Sequence, residues 1–467
     1  NIIATGAGTD SNIHVQGSNI SGTDATRLIA DNNIILESAQ NTSEEHSSNK
    51  SSGWNAGVVI GTQGIGITAG GNYGKGKGEG SSVTQVNTHV GSSTGNTLIS
   101  AGGDTTLAGA QVLGKRVELD TNNLIIESRQ DTSKYDSKQK DMSAQFTVGA
   151  GASVSGSYSQ NKINADYASV NEQSGILAGD GGYNVNVKKH TDLKGGIITS
   201  TQAAEDAGRN SFSTGTLTAS DIQNHADYSA SGFGLSGGVS VGAKDSGGTK
   251  EDPKTGGKTN LGIGKDNRSL EVTKSIGYGS DSGHDRSVTT SGINTSNISI
   301  TDTAGQNATG ISVEQIKAQV KTDTTTDTVQ ANSGAIANNF DKDAVQKEIG
   351  LQVAVTKQFD VTQQGIRSEI NQRVDAAKAE KDLVAEKLKN PNLNEEQKLA
   401  LINQGLNAQK DIEQLEKLGV VFSAIAGGLS APTNSVGGIV ANTLAPEVSN
   451  QIGQYFKDHG TEGSTAH

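Results

Sequence analysis

The chain has 467 residues, room for several ordinary domains, yet only 32% are hydrophobic and 3% aromatic, with 61 glycines against 4 prolines. So little large apolar material leaves either disorder or a thin core fed by short aliphatic strands repeated many times, the construction of a solenoid. The net charge of −12 offers no basic stripe for phosphates and argues against nucleic acid as a partner; Lys75, Lys77 and the pair Lys115-Arg116 are local exceptions, read as solvated tips.

Cysteine is absent, as in many exported bacterial surface proteins and many cytosolic ones. No apolar run reaches the ~18 residues of a transmembrane helix. No signal peptide is present, and Asn1-Ile2-Ile3 already read as strand, so the chain is expected to be a piece of something longer.

In chain order, the first landmark is Asn32-Asn33-Ile34-Ile35-Leu36-Glu37-Ser38, followed by Gln40 and Thr42-Ser43. About ninety positions on, Asn122-Asn123-Leu124-Ile125-Ile126-Glu127-Ser128 returns with Gln130 and Thr132-Ser133, an internal repeat. Gly17-Ser18-Asn19-Ile20, Gly109-Ala110-Gln111-Val112 and Gly195-Gly196-Ile197-Ile198 recur at similar intervals. Short aliphatic strands between turn signals such as Gly102-Gly103-Asp104 predict a mainly β chain: a right-handed parallel β-helix over 1–310.

Each unit also carries an excursion of strict period two. In the first, Ile65, Ile67, Ala69 and Tyr73 alternate with glycine, threonine and asparagine. In the second, Ala144 to Tyr158, the apolar set includes Phe146, Val148, Val154 and Tyr158. The third, Ser229 to Ala243, has Phe233, Leu235, Val239 and Val241 on one face, and a shorter fourth holds Leu270, Val272, Ile276 and Tyr278. Fifteen extended residues reach about 50 Å, far more than one rung needs, so these segments are expected to project as amphipathic hairpins near 57–80, 144–160 and 229–280. Strands of membrane barrels are written this way. In a soluble state the same apolar faces are expected to fold back onto the solenoid or onto each other.

Residues 311–339 read as linker. From Phe340 the spacing of Val345, Ile349, Val353, Phe359, Ile366, Ile370 and Val374 predicts a helix, capped by Asp341 or Asp343 and broken at Asn390-Pro391-Asn392. A second helix starts at Asn394. The small apolar residues of Val420–Val440 are expected to pack as a helical hairpin, and Ala445-Pro446-Glu447 opens a last short helix, so 340–467 forms an α-helical segment.

Sharper chemistry fails on context. The eight histidines lack metal-ligand spacing, and Asp104, Asp120 and Asp180, the carboxylate set a β-helix polysaccharide-processing enzyme would need, are explained as turn formers. Gly64-Ile65-Gly66 and Gly74-Lys75-Gly76 are not followed by what a nucleotide or phosphate loop requires. No catalytic site, cofactor or metal is expected.

The Asn-Asn-aliphatic-Glu-Ser-x-Gln-x-Thr-Ser unit, the glycine-rich alternating strands, the Ala101–Asp104 turn and the change to helix near Phe340 resemble the haemagglutinin-repeat exoproteins of two-partner secretion. Among these, the chain is most similar to contact-dependent growth-inhibition effectors of the CdiA type, relatives of filamentous haemagglutinin. The resemblance places 1–310 in the second haemagglutinin-repeat region and 340–467 in the helical lead-in to a pretoxin domain, without the VENN tetrad, toxin or amino-terminal secretion domain. It implies a secreted, cell-surface, non-enzymatic module that associates with the target cell's outer membrane and helps a C-terminal toxin across. Implied partners are that membrane, a receptor in it, the rest of the exoprotein and the outer-membrane transporter of the two-partner system. An adhesin stalk is the alternative.

Overall fold

The computed structural model describes residues 1–61, 64–149, 152–243, 268–390 and 394–429. A 15-stranded, wholly parallel sheet winds into a solenoid with three sides. One side stacks Ile13–Gln16, Ile34–Glu37, Thr105–Ala108, the end of Ala110–Glu127, the end of Gly175–Lys194, and Thr216–Ser220. The strand Ala110–Glu127 rounds all three sides by itself, bending where its register breaks at Gly114/Arg116 and Thr121/Asn123.

Alternation sets the core. Every second residue points inward, and parallel in-register pairing stacks these residues in columns. Val15, Leu36, Leu107, Ile126 and Leu193 form one such column, all buried. The repeat's polar letters clamp the corners. Asn123 donates to the Asp104 carboxylate at 2.7 Å. The Ser128 hydroxyl donates to the Gly195 carbonyl at 2.6 Å and accepts from the Ser174 amide at 2.8 Å. Arg129 reaches back two rungs to Glu37 at 3.2 Å.

The hairpins all leave at one corner, after the side just described. In alternate rungs that corner is closed by a single left-handed glycine, Gly17 (φ 54°), Gly109 (φ 69°) or Gly195 (φ 57°), a conformation side chains resist. In the rungs between, the chain runs out and back as Ala39–Gly61 with Gly64–Val86, Asp131–Val148 with Ala152–Ser169, and Ile222–Ala243 with Arg268–Thr289. Two strands for every two rungs keep pace with the solenoid, since both repeats are about 4.8 Å. The three hairpins therefore join edge to edge as one six-stranded antiparallel sheet.

This arrangement corrects several expectations. The strands begin well before 57, 144 and 229, because polar stretches such as Ser133–Asp141 are held extended by pairing on both sides. The fourth excursion is the return strand of the third hairpin. The apolar faces do not fold back on the solenoid; they lie side by side and exposed. Lys75 and Lys77 sit in mid-strand and not at tips. Residues 311–339 are no linker: Ser312 and Gln315 form a capping box on helix Val313–Val320, whose Ile316 and Val320 are fully buried against the end of the solenoid core.

Asp341 caps the helix Lys342–Lys387 as expected, and its 46 residues span about 69 Å. Its first turns lie across the hairpin sheet, and its later part pairs with helix Glu395–Leu429 through Ile370, Val374 and Leu415. Asn394 caps that second helix, accepting from the Gln397 amide at 2.7 Å. The side chains of Phe359 and Ile366 and the stretch beyond Leu429 lie outside what is described, and so do the expectations that rest on them. Among the described residues no helix is long and apolar enough to cross a membrane.

Candidate functional site: a two-faced sheet of hairpins

The pairing registers assign every hairpin residue to one of two faces. Away from the solenoid the face toward the long helix is mostly Gly, Ser, Thr, Asn and Gln, with Gln145 donating to Thr68 at 3.0 Å, and Ser143 and Ser157 sharing a hydrogen bond of 2.7 Å; nearer the solenoid it carries Tyr135, Ile163, Tyr228 and Ala230. The helix lies in a shallow trough of this face. Phe340 meets the rings of Tyr135 and Tyr228 at 5.7 and 5.8 Å, Lys342 pairs with Glu45, and Val345 and Ile349 pack on Ile163 and Ala230. The helix also covers an edge of the sheet: the Thr356 hydroxyl accepts from the Tyr278 amide at 2.8 Å, and Gln352 accepts from the Ser280 amide at 2.8 Å.

The opposite face is stratified. Farthest from the solenoid lie cross-strand rows of apolar residues, such as Ala56, Ala69, Phe146, Val154, Val239 and Val272 in one row. From the Met142 row to the Val148 row this band is about 20 Å tall. Trp54 is 84% exposed and Val154 53%. Aromatic rings gather at its lower edge: Tyr73 and Tyr158 flank Met142 in the border row, and one row lower, in line with Lys140, Phe233 stands beside Tyr278 at 5.4 Å.

Below the border come two rows of lysine: Lys50, Lys75 and Lys140, then Lys77, Lys138 and Lys162. Nearest the solenoid is an acid and histidine zone that lines an open cleft of about 600 Å³. There His284 and Arg286 hold Asp227 at 3.1 and 2.6 Å; the Arg286 hydrogen bond, then that of His284, keeps its carboxyl below the usual range. His225 meets Asp166 at 3.4 Å.

The site residues expected from the sequence thus meet on one surface. Ile67, Tyr73, Phe146, Val148, Val154, Tyr158, Phe233, Leu235, Val239 and Val241 all stand on the apolar face; the side chain of Ile65 lies outside the described residues. Trp54, Val58 and Met142, unremarked in the sequence, belong to the same band and are 84%, 66% and 49% exposed. Counting parity outward from Phe146 finds Met142, and the strand partners then follow.

The three aspartates considered for catalysis are kept apart. Asp104 is held by Asn123, Asp120 by Asn186, and Asp180 by Thr201. Among the described residues no group of three or more His, Asp or Glu side chains is placed to hold a metal ion. Burial raises the Tyr183 phenol far above its ordinary pKa; it donates to Asn294 at 3.2 Å inside the solenoid and serves the core.

The Hemagglutinin repeat family matches residues 1–142. The tRNA nuclease CdiA of Yersinia mollaretii is 32% identical over 458 residues, covering 96% of this chain and 14% of that protein. A tRNA nuclease CdiA of Escherichia coli is 32% identical over 496 residues, covering 100% of the chain and 14% of that protein. A toxin CdiA of Escherichia coli is 42% identical over 258 residues, 52% of the chain and 8% of that protein. The chain thus spans a small part of these relatives' length, and no solved structure matches it. With a repeat match over residues 1–142 and similarity along nearly its whole length to a stretch of CdiA proteins, the chain is a CdiA-type, filamentous haemagglutinin-like region.

Proposed function

We propose that this region is a non-enzymatic delivery module of a secreted contact-dependent growth-inhibition exoprotein, acting at the outer membrane of the target cell to help a C-terminal toxin across. The observation that carries this reading is the exposed, mainly apolar band, about 20 Å tall and crossing six strands, with Ser52 and Lys274 as polar positions on its two edge strands, backed by a polar face on the same strands. An exposed apolar surface of this extent is unusual unless something covers it. An outward apolar band bordered by aromatics, over a polar inner face, is how strands meet lipid. Pairing within the sheet satisfies the backbone of its inner strands, while the edge Ala39–Gly61 leaves backbone groups that further strands must pair before that edge meets hydrocarbon. The solenoid supplies a rigid base whose corner sets the spacing of the hairpins.

The partners that follow are the target outer membrane, a receptor in it, the remainder of the exoprotein with its toxin, and the outer-membrane transporter that secretes it. Replacing Phe146, Val148 and Val154 together with Asp in the full-length exoprotein is expected to abolish toxin delivery while secretion and surface display continue. Undiminished delivery would overturn the reading and favour an adhesin stalk, in which the solenoid only spaces a binding tip from the cell.

A further inference from the structure

We infer that the two lysine rows below the apolar band form a docking surface for the phosphate layer of an anionic lipid membrane. The inference rests on the membrane reading above and adds to it a charged contact with defined residues. Lys50, Lys75 and Lys140 are successive cross-strand neighbours in one row, and Lys77, Lys138 and Lys162 in the next. Like charges directly opposite one another in a sheet are unfavourable, and here they occur in four consecutive contacts in a chain whose net charge is −12.

Neutralisation from within the protein is slight. All six side chains are exposed. Lys77 pairs with Glu79 and Lys50 lies over the Tyr73 ring at 5.9 Å, but among the described residues no ion pair joins Lys75, Lys138, Lys140 or Lys162 to a carboxylate. The carboxylates of this face are displaced toward the solenoid, at Glu44, Glu79, Asp136, Asp166 and Asp227.

Position decides the kind of anion. The first lysine row lies one residue pair, about 7 Å, beneath the Tyr73, Met142 and Tyr158 row that borders the apolar band. If the band meets hydrocarbon, the rings sit at its boundary and both lysine rows fall in the headgroup layer, while the acid and histidine zone stays in water. The continuity of lysines with an apolar band suits a lipid surface better than a nucleic acid, which offers nothing to that band.

The test is flotation of the 467-residue chain with vesicles of phosphatidylcholine alone or mixed with phosphatidylglycerol, at low and high salt. A lysine near an anionic surface contributes about fivefold in partition. Replacing Lys75, Lys138, Lys140 and Lys162 with Gln is therefore expected to lower binding to the anionic vesicles on the order of 600-fold, with little change on neutral ones. A charge-matched control, Lys115, Lys188, Lys189 and Lys387 to Gln, is expected to retain the anionic preference. Equal binding of the wild type to both vesicles, or equal loss in both quadruple variants, overturns the lysine surface while leaving the membrane reading in place. No binding of the wild type to any vesicle defeats both. Capture of a single-stranded RNA oligonucleotide that the vesicles do not displace reassigns the lysines to nucleic acid and overturns the inference.

Discussion

Gly277 and Gly279, on the return strand of the third hairpin, lie directly under the long helix. A methyl group on Gly279 would stand 2.9 Å from the Ile349 carbonyl oxygen and 3.0 Å from the Gln352 Cβ, where ordinary contact begins at 3.4 Å. One on Gly277 would overlap the Val353 carbonyl oxygen and the Lys357 side chain. Either change pushes the helix outward. Overpacking of this kind costs about 1–3 kcal/mol, and loosening the Thr356 and Gln352 hydrogen bonds to the sheet edge adds about 0.5–1.5 kcal/mol each. Alanine's smaller unfolded-state entropy returns about 0.4–1 kcal/mol. The net expectation is about 1 kcal/mol for Gly279→Ala and about 2–4 kcal/mol for Gly277→Ala. Hydrogen exchange read by mass spectrometry should show residues 342–357 and 276–281 exchanging roughly 5-fold faster in the first and at least about 30-fold faster in the second. The solenoid strand Ala110–Glu127 should be unchanged. Gly71→Ala, whose new methyl would meet only the Gly53 carbonyl at 3.6 Å, should leave the helix alone. Unaltered protection of the helix in Gly277→Ala, or equal loosening by Gly71→Ala, would refute the account of how the helix is seated.

Two further outcomes test the solenoid. Leu124→Ala removes a fully buried side chain from a stacked column, and is expected to cost about 2–5 kcal/mol by calorimetry or denaturant melting, whereas Ile125→Ala, on the outer face, should stay within about 0.5 kcal/mol. His89 binds Asn19 at 2.9 Å and Glu172, and the Glu172 hydrogen bond holds its pKa above the ordinary value. A histidine raised on folding stabilises fully below its unfolded pKa of ~6.5 and loses that contribution as pH rises through the folded value. Both side chains are about one-third exposed, so screening keeps the effect under about 1 kcal/mol. Wild-type Tm should fall from pH 6 to pH 8.5 by more than that of His89→Gln, and parallel pH profiles would refute the linkage.

The sequence discloses this architecture unevenly. The columns of Leu36, Leu107 and Ile126 are legible because aliphatic alternation survives in single short strands. The recurring Gly17, Gly109 and Gly195 mark corners closed without an excursion; only the structure shows that the excursions fill the rungs between. The stretches around Glu44–Lys50 and Lys134–Asp141 carry no apolar alternation and weak β propensity, so nothing in them marks a strand; long-range pairing alone makes them strand. Parity is nonetheless written there, because Lys134, Lys138 and Lys140 share the parity of Phe146. The capping role of Ile316 and Val320 was hidden by threonine-rich neighbours that read as linker.

The most direct test of the central claim is flotation of the chain with vesicles of outer-membrane lipid, followed by carbonate washing and protease digestion. The account predicts retention through the wash, with protected fragments from 52–73, 142–158 and 233–243, and loss of both in the Phe146, Val148 and Val154 to Asp variant. Clean release from the vesicles, with the same fragments digested equally with and without lipid, would contradict it.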